Sequence, residues 1–293
     1  MITFLFEQYG YYPKVFQDNT FVIDGWFFKL LEVDYDEKYI EEIDEYCAEI
    51  RKFFSEKGPY IIRTRFNKLV SIHDQKQYVL ISFYDYVISI NDLNAFHVKF
   101  RQLNKKIELK KMLLSWEDKI SYLENNLVNA LRVDSVYHQK NIEIAMFCLG
   151  LCQNAVQYLS ECIFDYGGTV DDITLAHRRL KSLKSEYVLN PFNLVIDHPA
   201  RDLIELYRND FLKFDDFIDI IKYYELDKKT ATICIARLLY PCEQLDLLEK
   251  NIFYRNISFK LDYSIEKEYM KIKKVYEYFK TQYNIRPINW LEY

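Results

Sequence analysis

The sequence predicts an α+β protein in which a strand-rich region precedes a larger, mainly helical one. In residues 1–90, short runs of Tyr, Phe, Val and Ile alternate with turn residues around a single helical segment. From about residue 92, apolar residues recur at helical spacing, interrupted by short β-like runs near residues 173–197. We therefore expect an N-terminal domain over residues 1–90, with an antiparallel sheet and one helix, and a helical C-terminal domain over residues 91–293.

The strands of the first region are predicted from runs that turn residues separate. Two or three short runs lie in YGYYPKVFQDNTFVIDGWFFKLLEV, where the Asp24-Gly25 pair indicates a hairpin turn. Further strands are expected in YIIRTRF (60–66), LVSIH (69–73) and QYVLISFYDYV (77–87). Together these runs supply the strands of the expected sheet.

The lone helix of the first region is predicted between Asp36 and Gly58. Five apolar residues recur there at helical spacing, and the segment stops at a Gly-Pro pair. These residues are Ile40, Ile43, Cys47, Ile50 and Phe54. The pattern indicates an amphipathic helix.

The second region contains several predicted helices. Segments 93–131 and 137–164 carry apolar stripes, and DKKTATICIARLLYP stops at Pro241 because proline cannot continue a helix. A last helix, SIEKEYMKIKKVYEYF, aligns five apolar residues on one face. They are Ile265, Tyr269, Ile272, Tyr276 and Phe279.

Composition and charge restrict the class of protein. Half of the residues are apolar and 28% are charged, as in ordinary soluble globular proteins. The net charge of -5 provides no general basic field, so we expect no nucleic-acid partner. The N-terminus MITFLFEQYGYY lacks a basic segment and a long apolar core, and no run approaches membrane-spanning length. We therefore expect a cytoplasmic protein without a signal peptide or membrane span.

The six cysteines show no pattern of a disulfide or metal framework. None forms a C-x-x-C pair or lies at zinc-ligand spacing from a histidine. They are Cys47, Cys148, Cys152, Cys162, Cys234 and Cys242. We expect buried thiols in a reducing compartment.

The order of elements, with a strand lysine before the lone helix, resembles the bilobal protein-kinase-like fold. In detail it resembles the aminoglycoside phosphotransferase and choline kinase branch: AHRRLKSLK aligns with the loop H-G-D-x-x-x-x-N, and LVIDHPARD with the strand that ends in a metal-binding Asp. Four segments also resemble kinase-like, spore-coat-associated proteins of Bacillota. They are LGLCQNAVQYL, LAHRRL, NPFNLVIDHPARDL and ARLLYP.

The resemblance assigns roles to residues of the loop. If His177 is the loop histidine that braces the segment, Arg179 takes the position of the catalytic-base Asp. Lys184 takes the position of the metal-binding Asn. Asp197, which follows Arg179 by 18 residues, corresponds to the second metal-binding Asp.

These substitutions reverse the charge that phosphoryl transfer requires. The resemblance implies ATP and Mg²⁺ as cofactors, with an Asp orienting the attacking hydroxyl. Arg179 cannot accept a proton, and loss of a positioned general base typically costs roughly 10²- to 10⁴-fold in rate. Arg179 and Lys184 also add positive charge beside the metal position, so Mg²⁺, which needs hard oxygen ligands, is expected to bind poorly.

The nucleotide-binding residues implied by the resemblance are Lys29 and an acid of the lone helix. Glu45 has suitable sequence separation, but it lies nearly opposite the apolar stripe centred on Ile43 and Cys47. Asp44 flanks that stripe and is better placed to meet Lys29. The alternative is that Lys29 is a solvated strand lysine.

Other candidate residues also have structural alternatives. Asp197 can cap the turn before Pro199 without binding a metal. The basic residues of the loop form either a site for phosphate or an acidic partner, or a solvated face. They are Arg178, Arg179, Lys181 and Lys184.

Three functions are compatible with these residues. The first is a pseudokinase that acts as a binding or scaffold module for a protein partner, by resemblance in spore coat assembly. The second is an active phosphotransferase in which Asp197 holds one metal ion and another acid is the base. That acid would be Asp171, Asp172 or Glu186. The third is a nucleotide-sensing switch that uses Lys29 and Asp197 without transfer. The reversal of charge favours the first.

Overall fold

The predicted α+β class is confirmed by the computed structural model of the protein, which describes residues 1–102, 105–254 and 258–292. The strands are β1 (Thr20–Ile23), β2 (Trp26–Val33), β3 (Tyr60–Ile62), β4 (Ser71–His73), β5 (Lys76–Tyr84), β6 (Ile107–Glu108), β7 (Thr169–Val170), β8 (Thr174–His177) and β9 (Leu194–Asp197). The helices are α1 (Ile2–Tyr9), α2 (Glu37–Phe53), α3 (Ile90–Lys99), α4 (Leu109–Ala130), α5 (His138–Tyr166), α6 (Ser185–Val188), α7 (Ala200–Arg208), α8 (Phe214–Tyr223), α9 (Lys228–Leu239), α10 (Cys242–Tyr254) and α11 (Ile265–Tyr283). The main sheet is complete by Tyr84, and the larger part that follows is mainly helical.

The first five strands form an antiparallel sheet. Its order is β1, β2, β5, β3, and β4 also pairs with β5. The β1–β2 hairpin turns at Asp24 and Gly25, as the sequence predicts, with φ angles of 49° and 79°. Positive φ at both residues matches the two-residue turn that suits the twist of a hairpin. The register places Lys29 between Thr20 of β1 and Ile81 of β5, in the interior of the sheet.

Helix α2 confirms the amphipathic helix predicted from the sequence. Asp36 caps its N-terminus by accepting a backbone hydrogen bond of 2.7 Å. The helix ends at Phe53 and not at Gly58, because Ser55 and Glu56 adopt positive φ angles of 51° and 65°. Its buried residues are those of the predicted stripe: Ile40, Ile43, Cys47 and Ile50.

Helix α1 adds an element that the sequence pattern does not predict. Phe4, Leu5 and Tyr9 are buried in one cluster with residues of the sheet such as Phe28. The helix ends at Gly10, whose φ of 82° is the left-handed conformation typical of a glycine helix end. Eight residues are too few for a helix to be stable alone, so its packing on the sheet stabilises it.

Helix α5 lies at the centre of the helical part and packs against α4 and α9. By length and composition it is apolar enough to cross a membrane, which corrects the prediction that no run approaches that length. Half of its most apolar window is buried inside the protein, and the core helix of a soluble protein passes the same test. The helix is therefore weak evidence for a membrane span.

The predicted helical segment 93–131 is interrupted. Helix α3 ends at Lys99, and α4 begins only at Leu109. Between them β6 pairs with β7, so that Ile107 lies opposite Val170. Two short strands distant in the sequence thus meet at a place where local periodicity indicates only helix.

The cysteines are free thiols, and five of the six are buried, as predicted. Cys242 is half-buried. Burial raises the pKa of Cys148, Cys162 and Cys234 to about 12, and neighbouring charges alter it less. Thiols with so high a pKa are protonated at neutral pH and are poor nucleophiles.

The chain forms two compact units that are not continuous in sequence. The first contains residues 1–101 and 174–196, and the second contains residues 102–173 and 197–293. The histidine-led loop therefore belongs to the unit that contains the main sheet. Asp197 belongs to the unit that contains α4, α5 and α9.

Candidate functional site

His177, at the end of β8, anchors the loop in the first unit. Its side chain is fully buried, and its ring nitrogen Nε2 lies 3.0 Å from the backbone oxygen of Val188. Because that oxygen can only accept, Nε2 is the donor. The ring also stacks on Phe96, with centroids 5.9 Å apart. These contacts fix the ring of His177 against Val188 and Phe96.

Arg179 is fixed in the loop by Asn193. The side-chain oxygen of Asn193 accepts from the Arg179 backbone N–H at 3.1 Å, and its amide nitrogen donates to the Arg179 backbone oxygen at 2.7 Å. The same amide nitrogen donates to the backbone oxygen of Tyr187 at 3.0 Å. One amide side chain thus satisfies both backbone groups of Arg179 and ties them to the start of the next turn.

The Arg179 side chain brings a positive charge to the loop. Its Nη1 donates to the backbone oxygen of Arg178 at 2.8 Å. A guanidinium has donors and no acceptor, so Arg179 can orient an anion but cannot take a proton from a hydroxyl. Arg178 is exposed and Arg179 is half-buried.

Lys184 precedes helix α6, and its side chain is exposed. The next residue, Ser185, is buried and ties the loop to the chain that follows β5. Its backbone N–H donates to the Tyr86 backbone oxygen at 2.9 Å, and its hydroxyl donates to the Asp85 carboxylate at 3.2 Å. Lys184 therefore extends from a fixed backbone, with an ammonium where the resemblance implies an amide ligand.

Lys29 and Asp44 do not form the expected ion pair in the described part of the chain. Lys29 is half-buried in β2. Asp44 in α2 accepts from Arg63 Nη2 at 3.3 Å, and both of these side chains are partly exposed. The structure thus gives the acid a different basic partner, because Arg63 follows β3 directly and β3 packs against α2.

Asp197 in the second unit is buried and surrounded by donors. Arg237 Nη2 donates to both carboxylate oxygens, at 2.7 and 2.6 Å. Arg201 Nη1 donates to one of them at 2.6 Å, and the His198 backbone N–H donates to the other at 2.7 Å. Burial by itself raises the pKa of Asp197, but Arg237 and Arg201 outweigh it, so that the pKa lies below its usual range.

These residues do not fit Mg²⁺ as the resemblance implies. A magnesium site needs oxygen ligands around an open coordination position. The oxygens of Asp197 are instead taken by two guanidiniums, and Lys184 has no oxygen in its side chain to offer as the second ligand. For ATP, the residue to which the resemblance assigns phosphate contact is Lys29, which is half-buried in β2.

The acids considered as substitute bases have varied surroundings. Asp171 is exposed and pairs with Lys106 at 3.2 Å. Asp172 is half-buried, with a carboxylate oxygen 4.0 Å from His198 Nε2. Glu186 is exposed in the first turn of α6. Each stays a candidate defined by sequence alone.

Sequence reasoning missed Asn193 and Arg237. For Arg237 a signal was present, since it is the one charged residue in TATICIARLLYP and a charge in a buried helix needs a partner. For Asn193 the turn sequence NPFN marks a fixed bend, but nothing local indicates that its amide contacts residue 179.

The order of elements, from the sheet with its inserted helix to the histidine-led loop, is that of a kinase-like protein. Within that class, the chain belongs to the family described as "Spore coat putative kinase YutH", whose model matches residues 3–282. The predicted resemblance to kinase-like, spore-coat-associated proteins is thereby confirmed. The endospore coat-associated protein YutH of Bacillus subtilis is 25% identical over 248 aligned residues, and the match covers 75% of this chain and 69% of that protein.

Two solved structures are also similar. An aminoglycoside phosphotransferase from Alicyclobacillus acidocaldarius has a TM-score of 0.45 at 10% identity, covering 93% of this chain and 90% of that one. The choline kinase LicA from Streptococcus pneumoniae has a TM-score of 0.44 at 13% identity, covering 88% and 89%. Similarity at this level assigns no ligand or activity to the chain.

Proposed function

We propose that this protein is a catalytically degenerate kinase-like protein, a pseudokinase, that acts as a binding or scaffold module in the spore coat. The observation that carries the proposal is Arg179. Asn193 holds both backbone groups of Arg179, so a residue with a positively charged side chain occupies the position that the resemblance gives to the catalytic base. A guanidinium remains protonated at physiological pH and cannot accept the proton of an attacking hydroxyl.

The surroundings of Asp197 support the same proposal. A carboxylate that holds Mg²⁺ must direct its oxygens to the metal, and those of Asp197 accept hydrogen bonds from two arginines. This favours the structural interpretation of Asp197 over the metal-binding one. If the protein were a phosphotransferase with an altered set of catalytic residues, Arg201 and Arg237 would have to move away from Asp197 before a metal ion could bind to it.

The place of action is proposed from the family. The family description and the name of the Bacillus subtilis relative both refer to the spore coat. We therefore propose that the partner is a protein of the coat. A module that binds such a partner needs the fold and its surface, and it does not need a general base.

The proposal is tested by measuring phosphoryl transfer with the full-length protein. ADP formation and transfer of labelled γ-phosphate to spore coat extract are followed with ATP and either Mg²⁺ or Mn²⁺. We expect the wild-type protein to stay at background, because loss of a general base alone costs roughly 10²- to 10⁴-fold. Turnover clearly above background would contradict the proposal.

Two variants make that assay more specific. In the first, Arg179→Asp and Lys184→Asn are combined; in the second, Arg178→Asp changes the exposed neighbouring arginine and serves as the control. If the wild-type protein turned over ATP and only the first variant lost this activity, Arg179 and Lys184 would be functional residues of an active site. We expect all three proteins to remain at background, because Asp197 stays paired with arginines in each.

A further inference from the structure

We infer that the groove between α4 and α5 binds a basic amphipathic helix of a partner protein. The inference rests on the proposed scaffold function and deepens it, because it names the binding surface and the kind of segment that the partner presents. Both helices belong to the second unit. The histidine-led loop belongs to the first unit and contributes no residue to the groove.

The groove follows from the way in which the two helices pack. Residues 131–137 connect α4 to α5, and so short a connection joins antiparallel neighbours. The side-chain amide of Gln153 donates to the Glu124 carboxylate at 2.8 Å across the pair, which sets the register of the helices. An open groove of about 440 Å³ lies between them, and Ile120 and Val156 supply its apolar surface. The groove is thus wide enough to receive side chains of a third helix.

The groove carries negative charge. Its lining contains three carboxylates and, among the described residues, no lysine or arginine. Glu161 pairs with Arg286 at 3.1 Å, but Arg286 also pairs with Asp165. Glu124 accepts from an uncharged amide, and Glu117 is exposed. A segment with lysine or arginine beside its apolar residues would complement these carboxylates, so the charge favours a basic occupant.

The exposed residues of α4 follow the spacing of a helix-binding face. Five of them recur at i, i+3, i+7, i+10 and i+14, which is the spacing of a coiled-coil seam. They are Leu114, Glu117, Ser121, Glu124 and Val128. The apolar residues at the two ends of this row, Leu114 and Val128, are 48% and 86% exposed. At 1.5 Å per residue the row is about 21 Å long, which matches a partner helix of about four turns.

Helix α5 leaves apolar surface uncovered on the other side of the groove. It is apolar enough to cross a membrane, but only half of its most apolar window is buried. Met146 and Phe164 are 57% and 89% exposed. The register set by Glu124 and Gln153 places Phe164 at the same end of the groove as Leu114, and Met146 at the opposite end. Apolar residues therefore flank the acidic middle, and an amphipathic helix would cover both ends.

Gly150 lies one turn after Met146 in α5. A glycine inside a helix is unfavourable relative to alanine. A Cβ added at Gly150 would meet no neighbouring heavy atom within 4 Å, so the packing of the described residues does not require glycine there. The missing side chain instead lets the backbone of a partner helix approach α5 closely.

The first test determines the sequence of the segment that occupies the groove. The photo-crosslinking residue p-benzoylphenylalanine replaces Ser121, which is exposed in the groove, and the protein is irradiated with spore coat extract. The control carries the same residue at Thr281, an exposed position of α11 that does not line the groove. We expect mass spectrometry to identify, at Ser121 only, a segment with lysine or arginine beside apolar residues at helical spacing.

Three results of this experiment would overturn the inference. One is an acidic segment, or a segment without helical spacing. Another is a segment from a second copy of this chain, which would make the groove a dimer interface. The third is no crosslink beyond that of the Thr281 control.

Charge variants then test whether the carboxylates hold the segment. A synthetic copy of the crosslinked segment is titrated by fluorescence anisotropy. Glu117→Gln combined with Glu124→Gln should weaken its Kd by roughly two- to thirtyfold, the range for loss of two exposed ion pairs. The control combines Glu143→Gln with Glu277→Gln, exposed acids that do not line the groove, and should bind as wild type does. Equal Kd values for the two double variants would contradict the role of the groove.

A substitution at Gly150 separates binding from folding, because its expected effects on the two have opposite signs. Gly150→Leu should raise the Tm, since leucine is a better helix former than glycine and a Cβ has open space there. The same change should weaken peptide binding by roughly tenfold, because the added side chain lies where the partner helix packs. Gln139→Leu, at an exposed position in the first turn of α5, is the control. Wild-type affinity in the Gly150→Leu protein would overturn the inference.

The two proposals fail in different ways. Phosphoryl transfer by the wild-type protein would overturn the pseudokinase proposal, whatever the crosslinking shows. Absence of a basic helical segment at Ser121 would overturn the role of the groove and leave the pseudokinase proposal intact.

Discussion

Two acids that the sequence marks as site candidates lie in very different surroundings. Asp44 is on the partly exposed surface of α2 and has one hydrogen bond of 3.3 Å to Arg63. Asp197 is buried at the end of β9 and accepts from two guanidiniums and a backbone N–H at 2.6 to 2.7 Å. The first pair is screened by water, whereas the second is a network in a medium of low dielectric constant.

The comparison shows why an acid in the expected position does not by itself indicate a metal site. The function of a carboxylate depends on which groups contact its oxygens. Asp44 and Asp197 differ most in the groups that contact theirs. At Asp197 the partners come from α7 and α9, elements that follow it in the chain. At Asp44 the partner follows the neighbouring strand. We expect this difference to appear as a large gap in the stability that each acid contributes.

The largest effect is expected for Asp197→Asn. The change leaves Arg237 buried without the carboxylate that it pairs with, and breaking a buried pair in this way typically costs about 3–5 kcal/mol in the free energy of unfolding. Urea unfolding followed by circular dichroism measures it. A loss below about 1 kcal/mol, the range of a surface pair, would mean that the cluster is solvated and not buried.

A smaller effect is expected for Asn193→Ala in the loop. The substitution removes three hydrogen bonds that hold Arg179 and Tyr187, and each contributes roughly 0.5–1.5 kcal/mol, so we expect a loss of about 1.5–4.5 kcal/mol. Hydrogen exchange at the Arg179 amide should also become faster. The control is Asn190→Ala, whose side chain accepts one bond, from the Phe192 backbone N–H. If the two variants lost equal stability, Asn193 would not be the residue that fixes the loop.

Local signals in the sequence account for the parts of the fold that could be predicted. The Asp24-Gly25 pair specifies the hairpin through its backbone angles, and the apolar stripe of α2 specifies the helix through its period. Both depend on residues close together in the chain. Helix α1 was missed because its eight residues are stabilised by contacts with the sheet and not by a pattern of their own.

The candidate site was harder to predict because its contacts are distant in sequence. The resemblance located Arg179, Lys184 and Asp197, but it could not indicate which donors surround them. Arg237 lies 40 residues beyond Asp197, and only the packing of α9 brings the two together. The partner of Asp44, the acid expected to meet Lys29, was also set by packing, because strand β3 places Arg63 within hydrogen-bond distance of Asp44.

The smallest effect, and the one that sharpens the comparison, is expected for Asp44→Asn. An exposed pair of this kind contributes about 0.2–1 kcal/mol, so unfolding by urea should change by less than about 1 kcal/mol. Glu45→Gln, at the exposed neighbouring position of the same helix, is the control and should be close to neutral.

Double-mutant cycles then identify the partner of Asp44. The cycle with Arg63→Met should give a coupling energy of roughly 0.2–1 kcal/mol, because the two side chains are in contact. The cycle with Lys29→Met should give a value below about 0.3 kcal/mol, since changes at sites that share no contact are close to additive. A larger coupling with Lys29 than with Arg63 would restore the ion pair that the resemblance implies. It would also place Asp44 beside Lys29, the lysine to which the resemblance assigns nucleotide binding.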